Sequence, residues 1–131
     1  MPGETVLIVE DELIIARDMM MRLKNLGCEV IGIAESGQQA LQVMESARPD
    51  LVLMDIGLKG GIDGVEVAEE IRRRWEVPVV YVTGSTDETT LMRASATLPY
   101  GYVEKPFSNE SFCGSVQAAL IRREMERSGL D

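Results

Sequence analysis

The stretch Thr5-Val-Leu-Ile-Val-Glu-Asp-Glu12 joins a short apolar run directly to three consecutive acids. The run Val6–Val9 is aliphatic throughout, which is typical of a parallel strand covered on both faces. The acids Glu10, Asp11 and Glu12 follow where that strand has to end. Two like charges about 6 Å apart repel each other by roughly 3 kcal/mol at an effective dielectric constant near 20. Something else in the protein must offset this repulsion.

Four further runs of strand length alternate with stretches of helix length. The predicted strands are Val6–Val9, Glu29–Ala34, Leu51–Met54, Val79–Val82 and Tyr100–Val103. This strict alternation predicts an α/β fold, a doubly wound sheet of five parallel strands with five helices on its two faces. The order of the strands cannot be read from periodicity.

The predicted helices have recognisable ends. The first covers Glu12–Leu26, with Gly27 as its left-handed stop. Its apolar stripe is predicted to consist of Leu13, Ala16, Met20 and Leu23. The predicted caps of the other helices are Ser36, Asp63, Ser85 and Ser108.

The chain has 131 residues and a net charge of −9, from 13 basic and 22 acidic side chains. We expect a single domain over residues 1–131, with a core at about 5–121 and a polar stretch at 122–131 that is either a tail or the start of a linker helix. The acidic surface disfavours direct contact with nucleic acid. The apolar windows are too short to cross a membrane, so the sequence predicts a soluble cytoplasmic protein.

Histidine is absent, and the chain contains two cysteines, Cys28 and Cys113. Without imidazole, neither a Ser–His nor a Cys–His nucleophile pair can form, and too few ligands remain for a structural zinc site. Both cysteines fall within apolar patterns and are expected to be buried, reduced thiols. Any chemistry must therefore use carboxylates, lysine, hydroxyls or a metal.

Polar side chains stand at the carboxyl ends of four predicted strands. They are Glu10 and Asp11 after strand 1, Asp55 after strand 3, Thr83 after strand 4 and Lys105 after strand 5. In a doubly wound sheet these ends meet at one edge, where ligands bind. Clustered carboxylates suit a hard cation such as Mg²⁺, and an ammonium with a hydroxyl beside it suits a phosphoryl group. The sequence therefore predicts an acidic functional site at this edge.

Five short motifs, in this order and spacing, resemble the receiver domain of two-component response regulators. They are Val6-Leu-Ile-Val-Glu-Asp-Glu12, Leu51-Val-Leu-Met-Asp-Ile56, Asp63-Gly64, Val82-Thr-Gly-Ser85 and Gly101-Tyr-Val-Glu-Lys-Pro-Phe107. The resemblance covers Thr5 to Ile121. It implies a flavodoxin-like fold with strand order 2-1-3-4-5.

The resemblance also implies a set of roles at the site. Asp55 would accept a phosphoryl group from the phosphohistidine of a sensor histidine kinase or a phosphotransfer protein. Mg²⁺ would be bound by Asp11, Asp55 and the backbone carbonyl of Gly57, with Glu10 helping through water. Lys105 would hold one phosphoryl oxygen.

A second set of implied roles concerns the response to phosphorylation. Thr83 would hydrogen-bond another phosphoryl oxygen, and Tyr102 would be an aromatic switch that turns inward when Thr83 moves. The surface of helix 4, strand 5 and helix 5 would then bind an output partner or a second copy of the chain. The Lys105–Pro106 peptide bond would be cis.

The chain departs from the family pattern in three places, and two other functions stay open. Glu10 replaces the commoner aspartate, the loop from Asp55 to Asp63 is one residue longer than usual, and Gly57 projects no side chain toward the phosphoryl group. The first alternative is a Mg²⁺-dependent aspartyl phosphatase, although such enzymes usually carry a second acid where Gly57 stands. The second is a binding module with this fold that takes no phosphoryl group. The main hypothesis is a signalling switch that catalyses only its own phosphorylation and dephosphorylation.

Overall fold

A single five-stranded parallel sheet organises the chain in this computed structural model, which describes residues 3–84 and 87–129. The strands are β1 Thr5–Val9, β2 Glu29–Ala34, β3 Leu51–Asp55, β4 Val79–Thr83 and β5 Gly101–Glu104. Their order is β2-β1-β3-β4-β5, and all neighbours are parallel. The predicted α/β class, strand count and strand order are confirmed. The order reverses between β1 and β3, so those two strand ends flank the crevice where ligands of such sheets bind.

Five helices connect the strands. They are α1 Leu13–Asn25, α2 Gly37–Ser46, α3 Gly64–Trp75, α4 Glu88–Ala96 and α5 Asn109–Arg127. Each of the last four begins at a side chain that accepts a hydrogen bond from a free amide of the first turn. The caps are Ser36, Asp63, Asp87 and Ser108. Gly27 ends α1 with a φ of 90°, as predicted.

Alternate strand residues feed two apolar cores, one on each face of the sheet. On one face, side chains such as Leu7, Val52 and Tyr81 pack against α2, α3 and α4. On the other, side chains such as Ile8, Leu53 and Val82 pack against α1 and α5. The period-2 alternation of a strand sends successive residues to opposite faces, so both sides of each inner strand must be apolar.

Three details of the sequence prediction are wrong. The N-terminal cap of α4 is Asp87, whereas the predicted cap, Ser85, lies outside the described residues. The buried stripe of α1 contains Met19 in place of Met20, and Leu13 is 45% exposed. Cys113 is only partly buried, although both cysteines are free as expected. The prediction included Leu13 because an exposed apolar residue contributes to the periodic pattern of a sequence as much as a buried one does.

The polar end of α5 is helical and is bound to the rest of the structure. Arg123 donates to the Glu76 carbonyl at the end of α3, and Arg127 donates to Asp50 just before β3, both at 3.0 Å. Tyr100 donates its hydroxyl proton to Glu126, and the Arg122 guanidinium lies 3.8 Å from the centre of the Tyr100 ring. Residues 122–127 therefore form the last turns of an anchored helix.

Asp50 ties the start of β1 to the start of β3. One carboxylate oxygen accepts from the Thr5 amide at 2.8 Å and from the Thr5 hydroxyl at 3.0 Å, and the other accepts from Arg127. Partial burial alone would raise the pKa of Asp50, but these hydrogen bonds lower it below its ordinary value of 3.8. The charged form is therefore the one that the fold stabilises.

We expect Asp50→Asn to lower the free energy of unfolding by about 1 kcal/mol at pH 7. The pKa of Asp50 is lower in the folded state than in the unfolded state. Its contribution to the free energy of unfolding is therefore complete above the pKa of the unfolded state, and it is lost as the pH falls through the pKa of the folded state. The difference between wild type and variant in urea unfolding should therefore shrink as the pH falls below the ordinary value of 3.8. Asp18→Asn, which breaks a partly exposed pair with Arg22, is the control and should show no such trend. A difference that is constant with pH would contradict the assignment.

Candidate functional site

The carboxyl ends of β1, β3, β4 and β5 bring the predicted polar residues together. Asp55 and Thr83 are the last residues of β3 and β4, and Lys105 follows β5. The Lys105 amide donates to the Thr83 carbonyl at 2.6 Å, which holds these two residues next to each other. One carboxylate oxygen from each of Glu10, Asp11 and Asp55 lies within 4.8 Å of the others. The structure thus gathers the acids, the hydroxyl and the ammonium at one edge.

Glu10 is completely buried and forms an ion pair with Lys105. Its Oε1 lies 3.0 Å from the ammonium nitrogen, without the alignment of a hydrogen bond, and its Oε2 accepts from the Glu12 amide at 3.1 Å. Burial raises the pKa of Glu10 to about 7, and the nearby Asp55 adds to this, while Lys105 works in the opposite direction. A buried carboxylate that keeps a free acceptor site is suited to a further cationic ligand.

Lys105 bridges the two buried acids. Its ammonium nitrogen is 3.6 Å from Asp55 Oδ1 as well as 3.0 Å from Glu10. Partial burial works against its charge, but the contacts with Glu10 and Asp55 raise the pKa of Lys105 above its ordinary value. Lys105 therefore stays cationic at neutral pH and offsets part of the repulsion between the acids.

The backbone around Asp55 is tightly constrained. The Gly57 amide donates to Asp55 Oδ1 at 2.9 Å, which fixes the carboxylate over the loop. Gly64 packs so closely beneath that a β-carbon there would lie 2.1 Å from the Asp55 carbonyl oxygen. Only glycine fits at this approach, which accounts for the Asp63-Gly64 motif.

The Lys105–Pro106 peptide bond is cis.

A cavity of about 410 Å³ opens over Asp55. Acidic, hydroxyl and basic side chains line it together; they include Asp11, Asp55, Thr83, Asp63, Arg93, Lys59 and Lys105. A phosphoryl group placed there would lie among cationic side chains and the Thr83 hydroxyl, all of which can pair with its oxygens.

Tyr102 does not line this cavity, but together with Thr83 it lines a neighbouring one. Its ring is 40% exposed and stacks on buried Tyr81 with 5.9 Å between centroids, while its hydroxyl is 2.8 Å from the Ser95 hydroxyl on α4. A second cavity, of about 370 Å³, is lined by Thr83, Leu91, Ser95, Tyr102 and Glu104. Space for a movement of the Tyr102 ring therefore exists between it and the end of β4.

Residues 6–117 match the response regulator receiver domain family. The chain belongs to that family. This confirms the resemblance seen in the five motifs and identifies the chain as a receiver domain of two-component systems. Among the described residues, no helix is both long and apolar enough to cross a membrane.

Two curated relatives show the extent of the similarity. The transcriptional regulatory protein PdtaR of Mycobacterium tuberculosis is 34% identical over 117 residues, which are 89% of this chain and 57% of that protein. The phyllosphere-induced regulator PhyR of Methylorubrum extorquens is 31% identical over 123 residues, which are 93% of this chain and 45% of that protein. The chain thus spans about half the length of these relatives.

Solved structures of receiver domains have the same fold. The signal receiver domain of a modulated diguanylate cyclase from Desulfovibrio desulfuricans superposes with a TM-score of 0.89 at 34% identity, covering 95% of this chain and 98% of that one. The N-terminal domain of a response regulator/sensory box/GGDEF protein from Carboxydothermus hydrogenoformans gives a TM-score of 0.86 at 34% identity, with 94% and 98% covered.

Sequence reasoning did not single out every residue at the site. It used Asp63 as a helix cap and as part of the Asp63-Gly64 motif without placing it at the cavity, and it passed over Arg93 and Lys59, although all three line the cavity above Asp55. It also expected Glu10 beside a metal and did not foresee its ion pair with Lys105. The Asp63-Gly64 motif could have placed Asp63 at the site, since it ends the loop that follows Asp55, whereas nothing in the sequence around Arg93 indicates a role there.

We expect Lys105→Met to lower the free energy of unfolding at pH 7 by about 3 kcal/mol, because it leaves a buried acid without its counterion. Adding Glu10→Gln to this variant should recover part of the loss. Urea unfolding of the two single variants and the double variant measures both effects. Lys59→Met removes an exposed lysine from the same cavity and should change stability by less than about 0.5 kcal/mol. Equal losses in the two lysine variants would contradict the importance of the buried pair.

Proposed function

We propose that this receiver domain accepts a phosphoryl group on Asp55 from a phosphohistidine, in a Mg²⁺-dependent reaction, and that the modification switches a partner-binding face. The observation that carries the proposal is the position of Asp55, at the base of an open cavity with Lys105 3.6 Å from its Oδ1. A carboxylate placed in this way faces the cavity from which a phosphoryl donor can approach, and it lies next to a cation that can pair with an oxygen of the transferred group.

The chemistry is an in-line displacement at phosphorus. A carboxylate oxygen of Asp55 forms the new P–O bond as the P–N bond to the donor imidazole breaks, and the electron pair of that bond stays on the imidazole nitrogen. Lys105 pairs with one phosphoryl oxygen, and the Thr83 hydroxyl donates to another. The Gly57 amide holds Asp55 in position through its Oδ1 contact. The domain thus catalyses only its own phosphoryl transfer.

The acidic group fits a divalent ion. Asp11, Asp55 and the Gly57 carbonyl would hold Mg²⁺, and Glu10 would contribute through water. The ion would supply positive charge to the phosphoryl oxygens as negative charge develops on them. The Oε1 atom of buried Glu10, which accepts no hydrogen bond, and the proximity of the three carboxylates support this assignment.

The face formed by α4, β5 and α5 is the proposed output surface. When the Thr83 hydroxyl moves toward the phosphoryl group, the cavity beneath α4 becomes free to receive the Tyr102 ring. That rotation would break the Tyr102–Ser95 contact and alter the surface around the exposed side chains of Leu91 and Met92. An unidentified output partner, or a second copy of the chain, would bind the altered face.

The phosphoryl donor is a sensor histidine kinase or a phosphotransfer protein in the cytoplasm. An apolar depression of about 470 Å³ next to Lys105 is lined by Ile14, Ile15, Pro106 and Phe107, together with Asp18. Ile14, which borders this depression, is 85% exposed and available for an apolar contact. This surface would hold the donor protein while its phosphohistidine reaches Asp55.

We expect incubation with acetyl phosphate and Mg²⁺ to add one phosphoryl group, seen by mass spectrometry as an acid-stable, base-labile adduct. Asp55→Asn should abolish it, and chelation of Mg²⁺ should prevent it. Asp87→Asn, which changes another acid that lines the cavity, should leave the adduct intact. Persistence of the adduct in Asp55→Asn would refute the phosphoacceptor. Continuous release of phosphate without a detectable adduct would favour a phosphatase, and no reaction at all a phosphorylation-independent binding module.

Thr83 is expected to couple the site to the output face. With beryllofluoride as a phosphoryl mimic, the wild-type NMR spectrum should shift at Leu91–Ala96 and at Tyr102. In Thr83→Ala the mimic should still bind, but those distant shifts should be much smaller, because no hydroxyl is drawn toward it. Thr90→Ala, another threonine that lines the cavity, is the control and should keep the wild-type response. Equal distant shifts in wild type and Thr83→Ala would rule out this coupling.

A further inference from the structure

α4 (Glu88–Ala96) is lightly packed against the rest of the domain. Ala94 is the one residue of this fully described helix that is buried. Polar contacts supplement it: Ser95 meets Tyr102, and Thr97 at the end of the helix lies 2.6 Å from the hydroxyl of Tyr81. In an element with so little buried surface, individual polar contacts carry a large share of the restraint.

One ion pair joins α4 to the loop after β3. The Arg93 guanidinium lies 3.1 and 3.4 Å from the two carboxylate oxygens of Asp63. Among the ion pairs of residues 3–84 and 87–129, this is the one that joins α4 to another part of the chain. It crosses from α4 to the loop after β3 and does not involve Thr83 or Tyr102.

Asp63 is itself firmly held next to the phosphoacceptor. Its carboxylate caps α3 by accepting from the Glu66 amide at 2.9 Å, and the Glu66 side chain accepts from the Asp63 amide. The following residue, Gly64, packs directly against the Asp55 carbonyl. The ion pair therefore links α4 to backbone that is in contact with Asp55.

We propose that the Asp63–Arg93 ion pair holds α4 in the arrangement with Tyr102 half-exposed, and that its release is part of the change caused by phosphorylation of Asp55. The second half rests on the proposed function. Asp63 and Arg93 both line the cavity over Asp55, where a phosphoryl group would add about 1.5–2 negative charges. That charge repels the Asp63 carboxylate and weakens its hold on the guanidinium. Arg93 is thus a positioning residue for α4, on a route separate from Thr83.

The size of the effect follows from the exposure of the pair, since both side chains are in contact with solvent. An exposed ion pair shifts an equilibrium by about two- to fivefold at most. If the pair stabilises only the resting arrangement, breaking it increases the fraction of protein that is ready for a phosphoryl mimic, and the apparent affinity rises by the same factor.

Amide hydrogen exchange of the full chain tests whether the pair restrains α4. Arg93→Gln and Asp63→Asn should each speed exchange in α4 by about two- to fivefold and leave α5 unchanged. Asparagine also caps helices well, so α3 should stay intact in the second variant. Arg72→Gln is the matched control, because it breaks an equally exposed pair that lies within α3. Unchanged α4 exchange in Arg93→Gln would overturn the proposal.

The affinity for beryllofluoride with Mg²⁺ tests the regulatory half. Both single variants should bind the mimic about two- to fivefold more tightly, the double variant no more tightly than either, and Arg72→Gln like wild type. A through-space charge effect would instead move the two single variants in opposite directions, because one loses a positive and the other a negative charge; that result would overturn the proposal. A wild-type protein that fails to bind the mimic would refute the proposed function and the regulatory half with it, while exchange still decides whether the pair holds α4.

Discussion

The burial of negative charge at the carboxyl end of β1 is the constraint on which the rest of the site depends. Glu10 is inaccessible to solvent, and Asp55 lies close to it at the end of β3. Lys105 contacts both acids, although it follows β5, which is three strands away from β1 in the sheet. Because removing this ammonium would leave buried charge uncompensated, the loop after β5 has to stay folded over the site. The same requirement fixes Thr83, because the Lys105 amide donates a hydrogen bond to the Thr83 carbonyl.

The domain combines a rigid sheet with a lightly held helix. Every residue of β3 and β4 is buried, and a packed interior of this kind deforms little. α4, in contrast, has one buried residue, and its side chains form polar contacts with Tyr102 and Asp63. A chemical change at the end of the rigid strands is therefore expected to displace α4, the most lightly packed helix beside the site, before it displaces the sheet.

The fold was largely predictable because its strands are covered on both faces and its helices are amphipathic. Each predicted strand lies within one residue of the observed one, whereas the cap of α4 was wrong because Ser85 and Asp87 are equally suitable caps two residues apart. The convergence of Glu10, Asp11, Asp55 and Lys105 followed from the ends of parallel strands. The ion pairs Glu10–Lys105 and Asp63–Arg93 could not be predicted in this way, because they depend on how far individual side chains reach across neighbouring elements.

The anchored end of α5 has a mechanical consequence. The helix is held near the site, where Asn109 accepts from Arg22, and again at the opposite end of the sheet, where Arg123 and Arg127 bind. Its 19 residues correspond to about 28 Å of helix between these attachments. Residues 122–127 are therefore held to the end of α3 and the start of β3, and any movement of this part of α5 has to break those contacts or carry the two elements with it.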